Sequence, residues 1–95
     1  MSTPVVGLLS VECHLPGARS LKDKRRVLRG LRDRLQALNV SVAEVAHQDL
    51  HQRAGLAVVA VGSSRVPVER ALDGVVTEIE RRHPGLITQT QTEWL

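Results

Sequence analysis

The run Gly55-Leu56-Ala57-Val58-Val59-Ala60-Val61-Gly62 is apolar throughout and closed by glycine at both ends. So short and Val-rich a stretch reads as a strand, and its lack of polar positions gives it a central place in a sheet. Upstream, His47 to Ala54 is the most polar turn in the chain, and the β-prone Val40 to Ala46 before it is a second strand. Downstream, Ser63 and Ser64 offer N-cap oxygens, and Pro67 falls in a first helical turn, where a missing amide hydrogen costs little. The helix that follows carries an apolar stripe of Val68, Ala71, Leu72, Val75, Val76 and Ile79 and stops at His83-Pro84-Gly85. Leu86 to Trp94 then alternates threonines with Gln89, Gln91 and Glu93, a β-prone but polar pattern. It fits an edge strand with one wet face, with Trp94 over the edge of the core.

The first half of the chain follows the same logic. From Val5 to Leu15 the odd positions are all apolar or small, while the even ones drift to Ser10, Glu12 and His14, so one face of this strand is buried along its length. Pro16 and Gly17 end it. Ser20 with Asp23 three residues on resembles a capping box, and Leu21, Leu28, Leu31, Leu35 and Leu38, flanked by Val27, recur with the helical period. Asn39 suits a left-handed residue closing that helix, and Gly30 in its middle suggests a close backbone contact.

Strand, helix, strand, strand, helix, strand in this order predicts an α+β fold. It is the ferredoxin-like βαββαβ plait, with an antiparallel sheet in the order 4-1-3-2 and both helices on one face. The second sheet face is then open unless a partner covers it. The 95 residues form one domain, 1–95, and a chain of this length buries only roughly 60–65% of its unfolded surface, so there is room for one layered core. Val, Leu and Ala must fill it, because the chain has no Phe or Tyr and one Trp. The same scarcity excludes the sheet-stacking mode of RNA-recognition motifs. No segment reaches the ~20 apolar residues of a membrane span, the lone Cys13 cannot form an intramolecular disulfide, and no signal sequence precedes strand one. A cytoplasmic, non-membrane protein is expected.

The net charge of +3 is unevenly spread. Between Arg19 and Arg34, Arg19, Lys22, Lys24, Arg25, Arg26, Arg29, Arg32 and Arg34 face only Asp23 and Asp33, and the remainder of the chain is net acidic. Like charges three and four residues apart on a helix repel, and an anionic partner relieves them. The planar fork of Arg suits phosphate oxygens, which makes Arg19, Lys22, Arg25, Arg26, Arg29 and Arg32 the candidate RNA-binding residues. The plain alternative is a solvated helix face. A second constellation gathers Glu12, His14, Glu44, His47, Asp49 and His51 near the turn after strand two. His47-Gln48-Asp49-Leu50-His51 has the spacing of a zinc-protease helix, but Gln48 stands where that chemistry needs a general-base Glu. Phosphate-binding GxxxxGK[ST], GxGxxG and GxSxG motifs are missing. An acylphosphatase would need a Gly-rich cradle where the chain has Leu15-Pro16-Gly17-Ala18-Arg19. Cys13 falls on the apolar face and reads as an inert small hydrophobe. No residue is therefore assigned a catalytic or metal-binding role, and no cofactor is expected.

The run His14-Leu15-Pro16-Gly17-Ala18-Arg19-Ser20-Leu21-Lys22-Asp23-Lys24-Arg25-Arg26 resembles a signature of the YlxP-like family of small bacterial proteins, a family of unknown function. Asn39-Val40-Ser41-Val42-Ala43-Glu44-Val45, continuing through His47-Gln48-Asp49-Leu50 to Gln52-Arg53-Ala54, resembles its second signature. The resemblance implies a ferredoxin-like plait without an established activity. It also leans toward RNA, because genes of the family often lie among those for translation factors and ribosome maturation. Family members often carry an aromatic residue where this chain has His51, which weakens the histidine cluster as a functional unit. The expectation is a non-enzymatic protein that lays its basic helix on RNA or a ribosomal surface, with no DNA specificity inferred. A homodimeric scaffold is the alternative, and a metal or acid–base site at His14, Glu44, His47 and Asp49 ranks third.

Overall fold

The computed structural model describes residues 3–95. Strand β1 spans Val5–His14, helix α1 Leu21–Leu35, β2 Ser41–Ala46, β3 Arg53–Gly62, α2 Arg65–Arg82 and β4 Ile87–Trp94. The four strands form one sheet in the order β2-β3-β1-β4, and every pairing is antiparallel. This is the expected 4-1-3-2 order read from the other edge.

The two-residue period of β1 survives intact, with Leu9, Val11 and Cys13 buried and Leu15 buried just beyond the strand. Opposite them on β3 stand Val58, Leu56 and Ala54, so the same face of both central strands meets the helices. Leu28, Leu31 and Leu35 of α1 and Val68, Leu72, Val75 and Ile79 of α2 complete a single core. Gly7 belongs to this packing: a Cβ there would lie 2.8 Å from Leu72 Cδ1 and 3.2 Å from the Trp94 ring, so only glycine lets α2 and Trp94 close over β1.

Several boundaries differ from expectation for identifiable reasons. Strand β3 begins at Arg53 because His14 of β1 pairs with it, which shortens the polar turn to residues 47–52. Helix α1 tightens into a 3-10 turn over Gln36–Leu38 before Asn39, whose φ of 59° and ψ of 48° are the left-handed stop the sequence suggested. At its other end the Asp23 amide donates to Ser20 Oγ (3.1 Å), while the Asp23 carboxylate accepts from the Arg19 amide (2.9 Å) rather than from Ser20 as in a standard capping box. Ser64 occupies the N-cap of α2 without making a side-chain cap. Strand β4 is wet on both faces, not one: Thr90 and Thr92 are exposed although their partners Val11 and Leu9 are buried, because α2 lies over β1 and β3. Trp94 does close the core's edge, and the Arg65 guanidinium sits 4.2 Å from its ring centre.

Candidate functional site

Helix α1 turns one side to the core and gives the other to solvent. Arg19 before the helix and Lys22, Arg25, Arg26, Arg29 and Arg32 along it are all exposed. Among the described residues, none of the six side-chain cations has a carboxylate oxygen within 4.0 Å of its charged group. Lys22, Arg25, Arg26 and Arg29 line one shallow depression of the surface; Arg32 stands a turn further along, and Arg19 precedes the first turn. Of the two acids nearby, Asp23 is engaged by the Arg19 amide at 2.9 Å, and Asp33 makes no ion pair among the described residues. Four of the other six arginines face a carboxylate: Arg81 and Arg82 grip Glu78 (2.7 and 3.2 Å), Arg65 faces Glu69 at 3.7 Å, and Arg53 faces Glu12 at 3.5 Å, while Arg34 and Arg70 form no ion pair among the described residues. The grip of Arg81 and Arg82 holds the Glu78 carboxyl below its ordinary 4.5.

Lys24 has a role that the sequence reading does not assign, for it counts there in the charge of the basic segment but not in the candidate binding face. It is buried, 1% exposed, with Nζ 2.7 Å from Glu44 Oε2. The ammonium donates to the carbonyl oxygens of His47 (2.9 Å), Arg53 (3.2 Å) and Gln48 (3.4 Å). Its protons are thus aimed at backbone, and the carboxylate contact is Coulombic, for Glu44 Oε2 takes no aligned hydrogen bond. One side chain from α1 thereby fastens the whole β2–β3 turn, in which His47 adopts φ 62°. A signal for this was present: the stripe of Leu21, Leu28, Leu31 and Leu35 leaves one inward position vacant, and Lys24 fills it.

The polar cluster does not assemble as one group. Glu44 points to the helix side, where Lys24 takes it, and a bulge at Val45 reverses the parity of β2. Glu12 lies on the opposite face, its Oε2 3.2 Å from His47 Nε2. His14, Asp49 and His51 border a separate depression beside Gln52 and Arg53. Among the described residues, no three His, Cys, Asp or Glu side chains are grouped to hold a metal ion. Cys13 is 2% exposed, and burial, with a smaller contribution from Glu12, pushes its thiol from 9.0 up to about 12, the condition of an inert core residue. Among the described residues, no helix is long and apolar enough to cross a membrane.

Comparison with known proteins agrees with the signatures in the sequence. Residues 6–92 match the family described as "Protein of unknown function (DUF503)". The chain belongs to the DUF503 family. A member from Bacillus subtilis (strain 168), "Uncharacterized protein YlxP", is 40% identical over 91 residues, covering 95% of this chain and 99% of that protein. Among solved structures, "De novo designed protein Foldit4" superposes with a TM-score of 0.62, over 98% of this chain and 97% of the other, at 12% identity. That likeness speaks for the fold of this DUF503 chain and for nothing beyond it.

Proposed function

We propose that the protein is a non-enzymatic binding protein that lays α1, from Arg19 to Arg32, along the backbone of structured RNA or a ribosomal surface. The reading is supported above all by six exposed cations gathered at one helix and left without a carboxylate partner among the described residues, while Arg53, Arg65, Arg81 and Arg82 elsewhere are paired. A helix face of unrelieved guanidinium groups is stabilised when phosphates supply the missing charge. Recognition is then by charge and shape, since neither Phe nor Tyr is available for a stacking sheet. A cytoplasmic location belongs to the same proposal, that being where structured RNA is met.

The test is RNA affinity measured against salt. Contacts to about four to six phosphates give a log–log slope of roughly −3 to −5, and Arg25→Ala and Arg29→Ala each reduce its magnitude by about one. A flat salt response rejects the reading.

A second reading, a homodimer, is favoured by one observation: Val59 and Val61 are 36% and 58% exposed on the sheet face that carries no helix. The two readings concern opposite sides of the molecule and are compatible.

A further inference from the structure

Where the connection from β1 to α1 meets the connection from α2 to β4, a cleft of about 530 Å³ opens at one end of the molecule. That size lies within the range of pockets that hold a small ligand. Its apolar wall is Leu15, Val27 and Leu86. His14 at the end of β1 and His83 at the end of α2 both border it, and α1 adds Arg26. In a chain without Phe or Tyr, whose one Trp already lies under Arg65, the cleft thus collects two of the four histidines beside a guanidinium. Imidazole rings and guanidinium planes are the remaining side chains on which a nucleobase can stack.

The charges around the cleft leave Arg26 available. Asp23, its one carboxylate, accepts from the Arg19 amide at 2.9 Å, and Arg82 is held by Glu78 at 3.2 Å. The walls are braced before any ligand arrives. The His14 amide donates to Leu86 O (2.8 Å) and joins the two connections, the Leu86 amide donates to His83 O (3.0 Å), and the Leu15 amide donates to Gln52 O (2.8 Å). A preformed site avoids most of the ordering cost of binding. Arg26 also lines the depression it shares with Lys22, Arg25 and Arg29, so the cationic face and the cleft are continuous.

We propose that this cleft receives one unpaired nucleotide of the RNA carried on α1, the base against the imidazoles and the aliphatic wall and its phosphate on Arg26. The proposal rests on the RNA reading above and adds to it a preference for a strand with a free or unstacked nucleotide.

Gly17 makes the test clean. It lines the cleft, and a Cβ there meets no atom within 4 Å, so Gly17→Leu adds bulk at the rim of the site without a clash at its Cβ. Three RNAs are compared by fluorescence anisotropy: a blunt duplex, the same duplex with a one-nucleotide overhang, and one with a one-nucleotide bulge. The native protein binds the overhang or the bulge about fivefold or more tightly than the blunt duplex, and which of the two gains distinguishes a terminal from an internal nucleotide. Gly17→Leu and the double variant His14→Ala/His83→Ala, each checked by its melting transition, lose that preference yet keep the blunt-duplex affinity and its salt slope. Equal affinity of the native protein for all three RNAs, or a preference that persists in both variants, overturns the cleft proposal and leaves the basic-face reading standing. Failure of the native protein to bind any of them removes both.

Discussion

Lys24 shows how far a single residue's role can differ from its neighbours'. It stands in the most cationic stretch of the chain, yet its ammonium closes the β2–β3 turn from inside. Removing one member of a buried pair strands the other charge, so Lys24→Met is expected to cost about 3–5 kcal/mol in urea unfolding. Lys24→Met/Glu44→Met should recover only the part due to the stranded carboxylate, because the carbonyls of His47, Gln48 and Arg53 still lose their donor. On the RNA-binding proposal, the folded Lys24→Met variant is expected to bind as the native protein does. A loss below about 1 kcal/mol for Lys24→Met would show that the turn does not depend on this contact. At this scale the sequence was only half legible. The exposed cations of α1 were readable from their spacing, whereas a lysine inside a run of lysines and arginines carries no mark of burial except the vacancy in the leucine stripe. The turn it secures was legible as a turn, but three carbonyls converging on one ammonium is a tertiary fact.

At the level of elements, periodicity succeeded wherever one face is fully covered. Strand β1 and both helices declared their inward residues because the core enforces the period of two or 3.6 over their whole length. Strand β4 misled, since its threonines share parity with buried partners but extend beyond the cover of α2. Helix α1 offers a further correction. Gly30 suggested a close approach of another backbone, yet a Cβ there meets nothing within 4 Å. Glycine in this place only loosens the helix, so Gly30→Ala is expected to stabilise the protein by about 0.5–1 kcal/mol, seen as a higher denaturation midpoint with an unchanged m-value. A destabilised variant would mean that something packs on that turn. The polar cluster failed as a site for an element-scale reason as well: the sheet passes between Glu44 and Glu12, and no count of residues along the chain reveals which side of a bulged strand a carboxylate occupies.

For the molecule as a whole, order of elements and strand sequence were readable from the alternation of periods, because few topologies satisfy a right-handed βαββαβ path. What covers the far side of the sheet is not written in the chain in the same way. Its valines predict self-association: static light scattering at rising concentration should report twice the monomer mass, and Val61→Lys should return the monomer at native stability, given that Val61 is already 58% exposed. A constant monomer mass at all concentrations argues against the dimer. Both helices cover the same side of the sheet, and this has a consequence for assembly. Two copies joined back to back through their bare sides would carry their arginine-rich helices on outer surfaces turned away from one another. Such a particle is bivalent: its avidity would depend on the spacing between two RNA segments, or two arms of one, and it would draw them together as a clasp does.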